Sequence, residues 1–211
     1  VVGELVGREL PEEVVVLGGH LDAWDVGDGA HDDGAGCVMT MAAARRLIAD
    51  GGRPARTIRV VLFTAEEFGG HGGDAYLEAH RHELDRHVAA LESDSGCFEP
   101  NGFSVRGDSL IVAHVAELAT ALAPLGAANV RPGWAGVDIG PMVEEGVPGI
   151  GHRVQGNYFD YHHSPADTFD KIDPELMARN IAAITHLVRA LADEPVPLRE
   201  RADPNVPAET R

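Results

Sequence analysis

Two kinds of hydrophobic pattern alternate along the chain. Residues 14–17 (VVVL) and 57–64 (TIRVVLFT) are short, almost unbroken apolar runs. Runs of that length suit strands buried on both faces. The pattern predicts further strands over 88–91, 103–106 and 147–152. At the start it predicts two strands, 1–10 and 13–18, about a turn at Pro11 and Glu12. Between them lie segments with helical spacing over 36–49, 74–82, 109–122, 139–145 and 174–192. Asp173 and Pro174 form a start signal for the last of these, a capping side chain followed by a proline at the first helical position. Strands alternating with helices predict an α/β fold. The expected architecture is a three-layer α/β/α sandwich on a mostly parallel, mixed central sheet. Residues 1–194 form the expected domain. Residues 195–211, with four prolines, form an expected flexible tail.

Composition narrows the partners. The chain has 211 residues and is 44% hydrophobic, enough for one well-filled core. Its formal charge of −17 argues against nucleic acid and against an anionic membrane surface as partners. No apolar run reaches the ~18 residues of a membrane-spanning helix. Two cysteines, Cys37 and Cys97, are too few for a disulfide framework and read as buried thiols.

Charge then changes the picture at three predicted strand ends. The first run leads into GGHLDAWDVGDGAHDDGAG (18–36), the second into EE at 66–67, and the third into ESDSG (92–96). Ligands of open α/β sheets bind beyond the carboxyl ends of strands, so these residues converge. Carboxylates so crowded repel one another unless a cation sits among them. His20 and Asp22, two apart, can share a side, with Asp22 as the carboxylate that orients a ligating imidazole. Asp32 and Asp33 exceed what helix capping needs, and a carboxylate can bridge two cations. Of Glu66 and Glu67, one can ligate while the other faces substrate as a general base. Asp94 closes the third strand. In YHHSPADT (161–168), His162 and His163 point apart, so only one need ligate, while Asp167 and Thr168 order the loop. A mixed imidazole and carboxylate set suits zinc or another divalent transition metal.

These four segments, in this order, resemble the successive motifs of the M28 zinc peptidases, nearest the plasma glutamate carboxypeptidase (carboxypeptidase Q) group. The resemblance runs from about residue 14 to residue 192, and EGVPGI (145–150) matches between motifs. It implies two zinc ions per chain. His20 and Asp94 would hold one, Glu67 and His163 the other, and Asp32 would bridge them. Asp22 would orient His20, and Glu66 would be the general base acting on a metal-bridging hydroxide. The Asp32–Asp33 peptide would be cis, and Tyr158 would touch substrate. The implied activity is exopeptidase hydrolysis of short peptides or dipeptides with a free N-terminus. The alternatives are a glutaminyl-cyclase-like acyltransferase and a truncated metal-binding domain without activity. The resemblance also implies an extracytoplasmic setting, a homodimer, and further family sequence before the first strand here. His31 and His71 flank motifs and are candidate supporting residues, and His152, which follows a predicted strand, is a weaker candidate for the cleft wall. His80, His82, His87, His114 and His186 read as surface residues. Trp24, Phe68 and Phe98 either shape a pocket or belong to the core.

Overall fold

Val15 and Leu17 pack against one layer of helices, and Val14 and Val16 against the other. The unbroken apolar run therefore lies at the centre of a sheet covered on both sides. The computed structural model describes residues 1–203. Its strands are β1 (Val2–Leu5), β2 (Leu10–His20), β3 (Arg56–Phe63), β4 (His87–Glu92), β5 (Glu99–Arg106), β6 (Asn129–Pro132) and β7 (Gly149–Gln155). The helices are α1 (Ala35–Ala49), α2 (His71–His80), α3 (Ser109–Ala119), α4 (Gly140–Glu144) and α5 (Pro174–Asp193).

The strands form one mixed sheet in the order β1-β3-β2-β4-β7-β5-β6. Its inner strands β3, β2, β4 and β7 run parallel, β1 runs antiparallel to β3, and β5 and β6, parallel to each other, run antiparallel to β7. Helices α1, α3 and α5 bury Met39, Val115 and Leu187 on one face. Helices α2 and α4 bury Leu77 and Met142 on the other. This is the expected three-layer sandwich. Asp173 caps α5, accepting the backbone N–H groups of Glu175 and Leu176 at 2.7 and 3.1 Å. No helix among the described residues is long and apolar enough to cross a membrane.

Three local expectations give way. The chain does not turn at Pro11. The break between the first two strands falls at residues 6–9, and β2 runs through Pro11 with its register shifted between Leu10 and Val14. That irregularity accommodates a residue with no N–H to give to a ladder. Strand β6 has no counterpart in the predicted elements, because NVRP is short and half polar. Of the expected flexible tail, residues 195–203 pack against the domain. Leu198 is buried in the main core, and the Arg199 guanidinium donates to the Leu84 carbonyl. Residues 204–211 of that tail lie outside the described residues.

Candidate active site

The parallel strands deliver their chemistry at one edge. Strand β2 ends on His20, and the chain after β3 carries Glu66 and Glu67. The chain after β4 carries Asp94, and the connection from β7 to α5 carries His162 and His163. Asp32 sits in an irregular helical turn, Ala30–Gly34, that leads into α1. The Asp32–Asp33 peptide is cis.

His20 Nε2 lies 3.3 Å from Asp32 Oδ1 and 3.7 Å from Asp94 Oδ1. His163 Nε2 lies 2.8 Å from Glu67 Oε2 and 3.3 Å from Asp32 Oδ2. Asp32 thus faces both histidines, one with each oxygen. His162 stacks on His163 with ring centres 3.5 Å apart, and its Nε2 reaches to 3.7 Å from Asp32 Oδ2. The two histidines do not point apart as adjacent residues in extended chain would. His163 has a φ of 55°, in the left-handed region that a bulky residue adopts only when its surroundings hold it there. Trp24 packs on the His163 ring at 4.8 Å.

Asp22 differs from its expected role. His20 Nδ1 lies 2.8 Å from the backbone carbonyl of Asp22, and 3.9 Å from its carboxylate. The carboxylate instead accepts the backbone N–H groups of Glu66 and Glu67, both at 3.2 Å. Asp167 does the same across the site, accepting N–H from His31 at 2.7 Å and from Asp32 at 3.1 Å. Asp33 accepts N–H from His20 and Gly36, at 3.1 and 3.0 Å. Three aspartates thus fix the backbone on which the converging side chains stand. The sequence marks Asp33 as more than a helix cap and Asp167 as a loop former, but not the backbone groups that they hold.

The electrostatics are those of a site short of positive charge. Burial opposes a charged His20, yet Asp32 and Asp94 outweigh it and hold the imidazole well above its ordinary range. Burial raises Glu66, with His20 opposing and Asp94 and Glu67 adding to the rise. Burial and then Asp32 raise Glu67. Tyr158, beside Asp32, is held far above the usual phenol range by burial and by the charges of Asp94 and Asp32. His20 Nε2, Asp32 Oδ2, Glu67 Oε1 and Asp94 Oδ1 are all buried with no hydrogen-bond partner. Orphaned polar atoms of that kind are costly, and four converging ones fit a bound cation.

The remaining candidates separate by burial. His31 is fully buried, stacked on Phe98, with Nδ1 accepting the Cys97 N–H at 3.1 Å. His152 is buried between Ser93 and Asn180, 3.0 Å from each, and forms part of a cleft wall. His87 is not a surface residue. It is buried against Tyr76, and burial lowers its pKa to about 4. Trp24 and Phe68 are exposed rather than core, at 47% and 74%. Both cysteines are free and buried, and Cys37 donates to the His20 carbonyl at 3.0 Å. Sequence reasoning missed Glu92, whose oxygens accept the N–H groups of Val137 and Ile139 at 2.9 Å each. It also missed Asp138, fully buried with neither oxygen bonded.

The model of peptidase family M28 matches residues 1–188. The chain belongs to that family. It is 40% identical over 199 residues to carboxypeptidase Q of Mus musculus, covering 93% of this chain and 42% of the mouse protein. The chain therefore spans less than half the length of that relative. The crystal structure of a peptidase M28 precursor from Shewanella amazonensis superposes with a TM-score of 0.88 at 39% identity, over 92% of this chain and 45% of that one. A zinc aminopeptidase from Bacillus subtilis shares the fold, with a TM-score of 0.74 at 19% identity over 99% of this chain and 52% of that one.

Proposed function

We propose that the chain carries the centre of a metallo-exopeptidase that holds two zinc ions and hydrolyses short peptides or dipeptides with a free N-terminus. The observation that carries this reading is the convergence of four buried, unpartnered donors, on His20, Asp32, Glu67 and Asp94. In this reading His20 and Asp94 hold one ion, Glu67 and His163 the other, and Asp32 serves both. Imidazoles mixed with carboxylates match the ligand preference of zinc. Bound zinc supplies Lewis acidity toward the scissile carbonyl and the attacking water.

The proton work falls to Glu66. Its pKa is raised, first by burial, which suits a group that must both take and return a proton. It takes the proton of the attacking water as the carbon–oxygen bond forms. It returns that proton to the leaving amine as the carbon–nitrogen bond breaks. Asp22 holds the Glu66 backbone, and Trp24 holds the His163 ring. The Tyr158 hydroxyl, kept protonated beside Asp32, donates toward substrate. The excess of carboxylates receives the substrate's free amino group. The same reading carries an extracytoplasmic site of action.

Elemental analysis of the purified chain tests this, followed by assays on dipeptides. The reading expects about two zinc ions per chain, and in Glu66→Gln the same metal content with kcat down by about 10²–10⁴. A Glu66→Gln variant with full turnover overturns the role of Glu66. About one ion, with cyclisation of N-terminal glutamine peptides, favours an acyltransferase. No metal uptake from supplied zinc means that this chain does not assemble the centre.

A further inference from the structure

A second cluster lies beside the metal-ligand candidates and takes no part in the chemistry above. Glu92 on β4 pairs with Gly151 on β7. Gly151 pairs with Ser104 on β5, and Ser104 with Arg131 on β6. Cross-strand partners share a face of the sheet, and so do residues two apart on one strand. Arg153, two beyond Gly151, therefore stands on the same face as Arg131. Asp94, two beyond Glu92, leaves the neighbouring strand beside it. All of these residues line one cleft of about 460 Å³, edged by the exposed ring of Trp134. That volume is in the range of small-ligand sites.

The two arginines bring uncompensated positive charge to an acidic chain. Its net charge is −17, and most of its arginines have a carboxylate partner, as Arg56 has Glu13 and Arg59 has Glu83. Neither Arg131 nor Arg153 forms an ion pair among the described residues. Arg153 Nη1 is buried with no hydrogen-bond partner. Burial, and then the charge of Arg131, lower the pKa of Arg153. The acids of the wall turn to other groups. Glu92 accepts two backbone N–H groups, and Asp94 faces His20. Arg153 is half-buried with an unpartnered Nη1, and the exposed Arg131 stands beside it, so the cleft wall presents two uncompensated cations that an anion would satisfy. Two guanidinium forks at the mouth of a cleft match a planar carboxylate.

We propose that Arg131 and Arg153 form a carboxylate subsite that receives the free α-carboxylate of the residue following the scissile bond. This inference rests on the peptidase reading and narrows its substrates to dipeptides. Asp94 joins the two regions, because it belongs both to the cleft and to the proposed ligand set. A carboxylate bound against the arginines lies next to the reacting centre. The Ser104 hydroxyl donates to the Trp134 carbonyl at 2.5 Å, which fixes the segment that follows Arg131.

The test compares zinc-loaded full chain on Ala-Ala, on Ala-Ala amide and on Ala-Asp amide. The subsite predicts that kcat/KM for the free acid exceeds that for its amide by about tenfold or more, chiefly through KM. Arg131→Gln and Arg153→Gln bring that ratio towards one, and Arg153→Lys retains part of it. Equal rates on acid and amide, or a ratio unchanged in both glutamine variants, overturn the subsite and leave the peptidase reading standing. Faster cleavage of Ala-Asp amide than of Ala-Ala overturns the α-carboxylate assignment in favour of a side-chain carboxylate. If no peptide is hydrolysed, the peptidase reading fails, and calorimetry on metal-free protein decides the subsite separately. N-acetylglycine should bind more tightly than N-acetylglycinamide, with the difference lost in both glutamine variants. Equal binding of the two overturns the proposal.

Discussion

The carboxylate of Asp22 accepts the backbone N–H of Glu67 through Oδ2 at 3.2 Å, while its other oxygen accepts that of Glu66. One side chain therefore fixes both the proposed ligand and the proposed base. Its own backbone carbonyl meanwhile holds the His20 ring. Asp22→Ala should lower metal affinity and turnover together, each by about 10–100-fold, as loss of an outer support of a metal site does. Asp22→Asn, which keeps one acceptor oxygen, should lose less. Chelator competition and steady-state kinetics on the two variants check the order.

Asp167 plays the matching role for Asp32. It is 3% exposed, and its oxygens accept the N–H groups of His31 and Asp32. Asp167→Ala leaves two buried donors unsatisfied, which should cost about 1–3 kcal/mol each. A urea titration of the metal-free protein reads that loss. Glu66→Gln in the same titration should leave the midpoint nearly unchanged, since the Glu66 side chain supports no backbone.

Asp138 gives a pH signature. Burial, with Glu66 and Asp94 adding to it, raises its pKa from 3.8 to about 7. A raised carboxyl pKa means that the folded state binds the proton more tightly than the unfolded one. Its contribution is fully present below pH 3.8 and is lost as pH rises through about 7. The Tm of metal-free protein should therefore fall over that window relative to Asp138→Asn, which cannot ionise. Parallel Tm curves for the two proteins would contradict the assignment.

Gly36 tests the packing beneath the site. A Cβ there would sit 1.9 Å from the Ser93 carbonyl oxygen and 2.3 Å from Asp33 Oδ1. Both are fixed groups, so Gly36→Ala should destabilise by about 1–3 kcal/mol or more. Gly52 has open space around it, and Gly52→Ala should stay within about 0.5 kcal/mol. Denaturation midpoints of the pair separate steric cost from the general effect of replacing glycine.

The sequence speaks plainly where a pattern is local. The apolar run at residues 14–17 announces a central strand, and Asp173 with Pro174 announces the start of α5. His20, Glu66, Glu67 and Asp94 are legible because each follows such a run at a strand end. The carbonyl of Asp22 is not legible, since nothing in a side-chain pattern says which atom of a residue turns towards a histidine. Pro11 misleads because a proline reads as a turn, whereas here it occupies an irregular stretch of β2. Nothing in the pattern singles out Arg131 or Arg153. Only the register of β5 between β6 and β7 brings them to one cleft, and register is a property of the assembled sheet.

The bond from Asp167 to the N–H of His31 joins residues 136 positions apart. The turn bearing Asp32 is thus held by a segment near the far end of the domain, and the ligand candidates are gathered from the ends of separate strands. Such long-range closure carries a chain-entropy cost that the ordered sheet has to offset. A partly folded chain has no half-strength version of this centre to offer. Metal that binds only the finished arrangement pulls the equilibrium towards it by mass action. Loading with metal would then serve as a quality check on the chain, retaining molecules whose sheet is complete and leaving the others open to proteolysis.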